Sequence, residues 1–209
     1  MDGGELSLGK GRFEAFSDGV FAIAITLLVL GFQPPDLHPA TNDGITRGLV
    51  ALWPQYLVYA ASFATVGIMW VNHHALFGKV KDVPHSVVLV NLALLMVVSF
   101  LPFPTAVLGH FGLMRSPVVY YGLALIAASL CFGALQYMVN LMPGERPSVI
   151  DFLKRRNAWN TIGIVAYAVG IPLAYYSPLA TIVLYAVMAL YYMLPVGVRA
   201  AAVARTPNA

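Results

Sequence analysis

The side chains of this chain that could do chemistry are few, and most of them fall in two clusters. Arg12, Glu14, Ser17 and Asp18 open the stretch 12–32 (RFEAFSDGVFAIAITLLVLGF), which then turns wholly apolar apart from Thr26. Trp70, His73, His74 and Phe77 share one helical face by their i, i+3, i+4, i+7 spacing, and Asn91 stands alone in a third apolar run. Adjacent histidines on a helix point about 100° apart, so His73 and His74 do not make the i, i+4 pair that a metal site asks for. No nucleophile–base arrangement, glycine-rich phosphate loop or deep acidic pair accompanies them. That argues against a hydrolase, an ATPase and a proton-coupled pump, because coupling inside a membrane ordinarily needs a buried acid or base. What remains is hydrogen bonding between helices. Arg12 and Asp18 lie on different faces of a straight helix, so each is expected to bond to another helix. Ser17 and Asp18 are expected to meet the Trp70–His73–His74 end of the second span, with Asn91 as a further partner.

The elements that must position these groups are membrane spans. Of 209 residues, 59% are hydrophobic and only 10% are charged, where soluble domains carry about 25%, and the mean hydropathy is +0.77. Charges divide the chain into uncharged runs at 19–35, 48–78, 83–114, 116–144 and 157–198; Pro178 splits the last, being well placed as a first helical residue. Six spans follow, at about 13–32, 47–71, 85–108, 117–141, 157–176 and 178–197. Pro102 and Pro104 interrupt the third, and Pro172 is expected to kink the fifth. Lys10, Arg12, Lys79, Lys81, Arg146, Lys154, Arg155, Arg156, Arg199 and Arg205 fall on one side of this topology, and only Arg47 and Arg115 on the other. That bias puts both termini in the cytoplasm. Residues 1–11 show no signal-peptide pattern and read as a flexible cytoplasmic tail, 12–198 as one transmembrane unit, and 199–209 as a second cytoplasmic tail. The Lys154-Arg155-Arg156 run suits anionic headgroups, so the bilayer is an expected partner. The formal charge of +3 is too small and dispersed for nucleic acid. The single cysteine, Cys131, allows no internal disulfide.

On the first span, Ile23, Leu27 and Leu30 recur at i, i+4, i+7 with Thr26 adjoining. Around a symmetry axis they would form apolar rings beside a hydroxyl ring, a constriction able to gate by dewetting. Ordinary helix packing uses the same residues, and spacing alone leaves both readings open. Thr65-Val66-Gly67 copies three residues of a carbonyl filter but sits inside a helical run, where no carbonyl filter forms.

The stretch RFEAFSDGVFAIAITLLVL resembles the first-helix signature R-x-x-x-F-S-D of the transmembrane protein 175 family of potassium channels, Arg12, Phe16, Ser17 and Asp18 matching position for position. The likeness extends to residues 70–77 (WVNHHALF) and, more loosely, to Asn91 and 99–104 (SFLPFP), about the first half of the chain. It implies the prokaryotic six-helix branch of that family: an all-α homotetramer whose first helices line a central pore, with no TVGYG filter, in a prokaryotic plasma membrane. K⁺ would be the permeant ion, and no cofactor, metal or enzymatic activity is implied. Ile23 is then expected to form the narrowest ring, Leu27 and Leu30 to follow outward, and Thr26 to sharpen selectivity. Arg12, Ser17, Asp18, Trp70, His73, His74 and Asn91 would form a structural polar network. The rival readings are a passive or proton-linked carrier titrating Asp18 and His73/His74, and an intramembrane enzyme using the same groups.

The expected topology is checked by cysteine labelling in a Cys131→Ser background. A cysteine at Asp43 should react with an impermeant reagent from outside, and one at Ser148 only from inside; the reverse pattern would refute the orientation.

Overall fold

The computed structural model describes residues 9–78, 80–140 and 158–193, which form helices joined by short turns. α1 (Lys10–Leu27) tightens into a 3-10 turn (Leu28–Gly31) and is followed by α2 (Asn42–Ala51) and α3 (Trp53–Phe77). Then come α4 (His85–Phe100), α5 (Pro102–Phe111), α6 (Arg115–Asn140), α7 (Ala158–Tyr176) and α8 (Pro178–Met193). Lys10–Gly31, His85–Phe111 and Arg115–Asn140 are long and apolar enough to cross a membrane, and α2 with α3 makes a bent fourth candidate. α7 and α8 add shorter apolar segments, Ile162–Tyr176 and Pro178–Tyr192. The protein is an all-helical membrane protein. The 143–156 loop, most of the N-terminal tail and the whole of 199–209 lie outside the described residues.

Prolines set the breaks. Where a span was expected at about 47–71, α2 and α3 meet at Leu52 with a 44° bend, and α3 runs on to Phe77. Pro54 stands in the first turn of α3, where its missing N–H costs nothing but its ring cannot follow a continuous α2. α2 starts on its own cap, the Thr41 hydroxyl accepting from Gly44 N–H at 3.1 Å. Pro102 likewise opens α5 after a one-residue break at Leu101. Pro172, by contrast, lies inside α7 without ending it. At Ser177 the side chain caps α8, accepting from Ala180 N–H at 3.2 Å, and Pro178 is the first helical residue.

α1 packs against α3 and α4, while the 3-10 turn sits on α5; α6 lies between α4 and α7, and α8 returns to touch α3. In hydrocarbon such contacts rest on close van der Waals fit rather than on expelled water. The tightest fit is Tyr185 of α8, buried between Gly122 of α6 and Gly170 of α7, where a Cβ at either glycine would overlap the tyrosine ring. Thr181, one turn earlier, donates to the Gly170 carbonyl at 3.3 Å.

Gly170→Ala should therefore lower stability by about 1–3 kcal/mol through overpacking. Thermal unfolding of the purified protein checks this, and an unchanged midpoint would mean that Tyr185 has room to move.

Candidate functional site

α1 is sealed on one face and open on the other. Phe13, Ser17, Phe21, Ala24 and Leu28 form a stripe turned into the body of the subunit, all of them buried. The opposite stripe is apolar yet uncovered within the subunit: Phe16 is 56% exposed, Ile23 60%, Leu27 39% and Leu30 70%. Thr26 lies on this open side, its hydroxyl donating to the Ile23 carbonyl at 2.9 Å. With its proton committed to the backbone, Thr26 Oγ1 offers lone pairs outward.

The sealed face carries a polar chain in the middle of an aromatic box. His73 Nε2 of α3 lies 2.8 Å from Asn91 Oδ1 of α4. Asn91 Nδ2 donates to Ser17 Oγ at 3.0 Å, and Ser17 donates to the Phe13 carbonyl at 3.0 Å. An amide oxygen only accepts, so this order makes Nε2 the protonated nitrogen of His73. Ser17, His73 and Asn91 are all essentially inaccessible. Around the imidazole stand Phe13, Phe21 and Phe77, with ring centroids 6.2, 5.4 and 4.8 Å away. The i, i+4, i+8 order of Phe13, Ser17 and Phe21 puts the hydroxyl between two of those rings.

The remaining expected members separate from this chain. Asp18 is one residue round the helix and is held by Trp70, whose indole Nε1–H donates to Asp18 Oδ1 at 2.8 Å nearer the surface. His74 is exposed and lies against the Trp70 ring, centroids 6.2 Å apart, so the two histidines diverge as their adjacency demands. Arg12 was expected to reach another helix; it is exposed and has no side-chain partner among the described residues. Asp36 pairs with His38 at 2.9 Å in the exposed loop before α2. Thr65-Val66-Gly67 lies in regular helix, with the Thr65 hydroxyl donating to the Ala61 carbonyl at 2.8 Å.

Sequence reasoning missed a second polar cluster at the other end of α3. Ser62 Oγ lies 2.9 Å from Tyr121 Oη of α6 and 3.0 Å from Thr105 Oγ1 of α5. Thr105 Oγ1 is also 2.9 Å from the Leu101 carbonyl. One order satisfies every member: Tyr121 donates to Ser62, Ser62 to Thr105, and Thr105 to the carbonyl. No signal singles these three out, since the same uncharged runs also hold Thr65, Ser86, Ser99 and Ser129. Nothing in their spacing pairs them, since they are brought together by the fold.

Residues 12–102 match the family described as "Endosomal/lysosomal potassium channel TMEM175". A potassium channel of Streptomyces collinus is 36% identical over 92% of this chain and 97% of its own. The mouse endosomal/lysosomal proton channel TMEM175 is 42% identical over 101 residues, which are 46% of this chain and 20% of that one. Among solved structures, the lysosomal potassium-selective channel TMEM175 homolog from Chamaesiphon minutus superposes with a TM-score of 0.77. It is 34% identical over 88% of this chain and 96% of that chain.

Asn91→Leu leaves the buried His73 ring without its side-chain hydrogen bond, while Ser17 keeps its bond to the Phe13 carbonyl; Ser17→Ala leaves one Asn91 amide proton unmet and the bond to His73 intact. Each stranded group costs about 1–3 kcal/mol. The melting temperature of both variants should therefore fall, and an unchanged midpoint in Asn91→Leu would show that His73 finds another partner.

Proposed function

The chain belongs to the TMEM175 family, and from that premise we propose that it is a potassium-permeable cation channel whose path runs between subunits, along the open face of α1. The observation that carries this reading is the contrast between the two faces of that helix. Five residues at helical spacing are buried against α3, α4 and α5, while Ile23, Thr26, Leu27 and Leu30 face away from the subunit. Lipid would suit the leucines, but it gives no role to an outward hydroxyl.

The proposed assembly is a homotetramer of six-span subunits with both termini cytoplasmic, in the plasma membrane of a prokaryote. Four copies of the open stripe would then meet at the axis. Ile23 is β-branched and has few side-chain rotamers, so a ring of isoleucines makes a stiff constriction. An apolar ring selects by what dehydration costs, and K⁺ gives up water more cheaply than Na⁺. Thr26, about one turn away, turns its lone pairs outward and replaces part of the lost hydration. Leu27 and Leu30 continue the apolar lining toward the outer side. Conduction of this kind needs no carbonyl filter, and the helical Thr65–Gly67 segment supplies none.

The carrier reading needs Asp18 and His73 to exchange partners with a solute or a proton. His73 is shut in by three phenylalanines and bonded to Asn91, and Asp18 is tied to Trp70. These groups serve better as fasteners than as a titrating site. In the channel reading the fasteners set α1 against α3 and α4, and Arg12, which has no side-chain partner among the described residues, would reach toward a neighbouring subunit.

Recordings in planar bilayers under K⁺/Na⁺ bi-ionic conditions test the proposal. Ile23→Ala should raise unitary conductance, and Thr26→Val should move the reversal potential toward equal permeability with the pore still open. Unchanged conductance in Ile23→Ala together with an unchanged reversal potential in Thr26→Val would remove α1 from the pore.

A further inference from the structure

The last turn of the first span is gripped unusually closely. At Gly31 a Cβ would lie 2.9 Å from Ala106 Cβ and 3.1 Å from Ala106 Cα, so the 3-10 turn rests almost on the backbone of α5. Leu28, on the same turn, is 2% exposed. Just beyond it, Phe32 lies against Tyr56 and Tyr59 of α3, both ring centroids 5.4 Å away. The seat is itself fixed. Thr105, next to Ala106, belongs to the buried hydroxyl cluster with Ser62 and Tyr121, which pins α5 to α3 and α6. Leu30 projects from this clamped turn and is 70% exposed.

We propose that Gly31 and Ala106, backed by Thr105, are positioning residues that set how far Leu30 reaches into the conducting path, and so fix the outer aperture. This rests on the reading of α1 as the pore helix. α5 touches the turn from the body side, opposite the open stripe. Added bulk at the Gly31–Ala106 contact therefore drives the turn toward the path, and any movement of the turn is copied by every subunit. The change to a 3-10 turn over Leu28–Gly31 fits this role. Three residues per turn in place of 3.6 set Leu30 over Leu27 rather than about 60° to its side, so its direction depends on the turn that the contact with α5 holds. Thr105 holds the seat through a bond that neighbouring helices satisfy internally, as buried hydroxyls in hydrocarbon must.

The test is unitary conductance of the full-length channel, which reads only molecules that have folded and assembled. Gly31→Ala should lower it by about twofold or more, as expected when an apolar constriction narrows. Ala106→Gly in the same chain returns the lost space and should restore it. Leu30→Ala in the Gly31→Ala background should restore it as well, because the side chain driven inward has been shortened. Thr105→Val, which keeps volume and loses the hydroxyl, should shift conductance from the wild-type value, and Thr105→Ser should keep it. Wild-type conductance in Gly31→Ala, with Leu30→Ala altered on its own, would overturn the clamp and spare the pore reading. No change in either Leu30→Ala or Ile23→Ala would overturn the pore reading and the clamp with it. If Gly31→Ala yields no channels, Thr105→Val decides, and a wild-type conductance there overturns the proposal.

Discussion

A side chain that can form hydrogen bonds has only protein to bond with once its helix lies in hydrocarbon, and an unmet group there costs several kcal/mol. Ser17, Asn91 and His73 sit under that constraint on three different helices. Their needs are met in only one relative placement of α1, α3 and α4, with Asn91 giving both ends of its amide. The apolar neighbours could slide over one another at little cost, since leucine against lipid and leucine against leucine are nearly equivalent. The chain of three polar groups cannot slide. It fixes the rotation of α1 about its own axis, and thereby which stripe is sealed and which is left open.

That rotation has a consequence at a distance. Ser17 lies at the entrance of the first span, and Ile23, Thr26 and Leu30 follow within four turns on the other side. A rigid helix carries the angle set at one end to the other, but small errors grow along it and real helices curve. The second cluster, Ser62 with Thr105 and Tyr121, supplies a second fixed point through α5 and the Gly31–Ala106 contact. A helix held at one end by direct hydrogen bonds, and at the other by close packing on a helix that hydrogen bonds fix, keeps its open stripe in register with Thr26 as the one hydroxyl among apolar residues there.

The first of these fixed points was legible in the sequence and the second was not. Ser17, Asp18, Trp70, His73 and Asn91 advertise themselves because polar and ionisable groups bordering apolar runs are costly enough to demand partners. Their grouping into a buried chain and a separate Asp18–Trp70 pair was not legible, since it depends on which side of α1 each helix docks. Arg12 carries the same advertisement but finds no side-chain partner among the described residues. Ser62, Thr105 and Tyr121 are ordinary in composition, and their spacing of 43 and 59 residues from Ser62 encodes nothing local. The Gly31 contact was hidden for the same reason, a glycine at the end of a span being unremarkable until Ala106 is seen beneath it. Proline acted locally at Pro54, where α2 gives way to α3, and α3 runs on to Phe77, past the expected end at 71.

The two fixed points differ in kind, and the difference bears on what can move. At the N-terminal end of α1 the bonds run directly to its neighbours, through Ser17 and Asp18. At the C-terminal end no side-chain hydrogen bond reaches the 3-10 turn among the described residues; the polar cluster holds α5, and α5 holds the turn by van der Waals contact. Hydrogen bonds in a low-dielectric setting are directional and costly to break, whereas contact between Gly31 and Ala106 resists approach and not separation. The N-terminal half of α1 is therefore a fixed reference, and α5 is a stop against which the turn at its other end rests. A conduction path lined by this helix would have its rigid part near Asp18 and its adjustable part near Leu30.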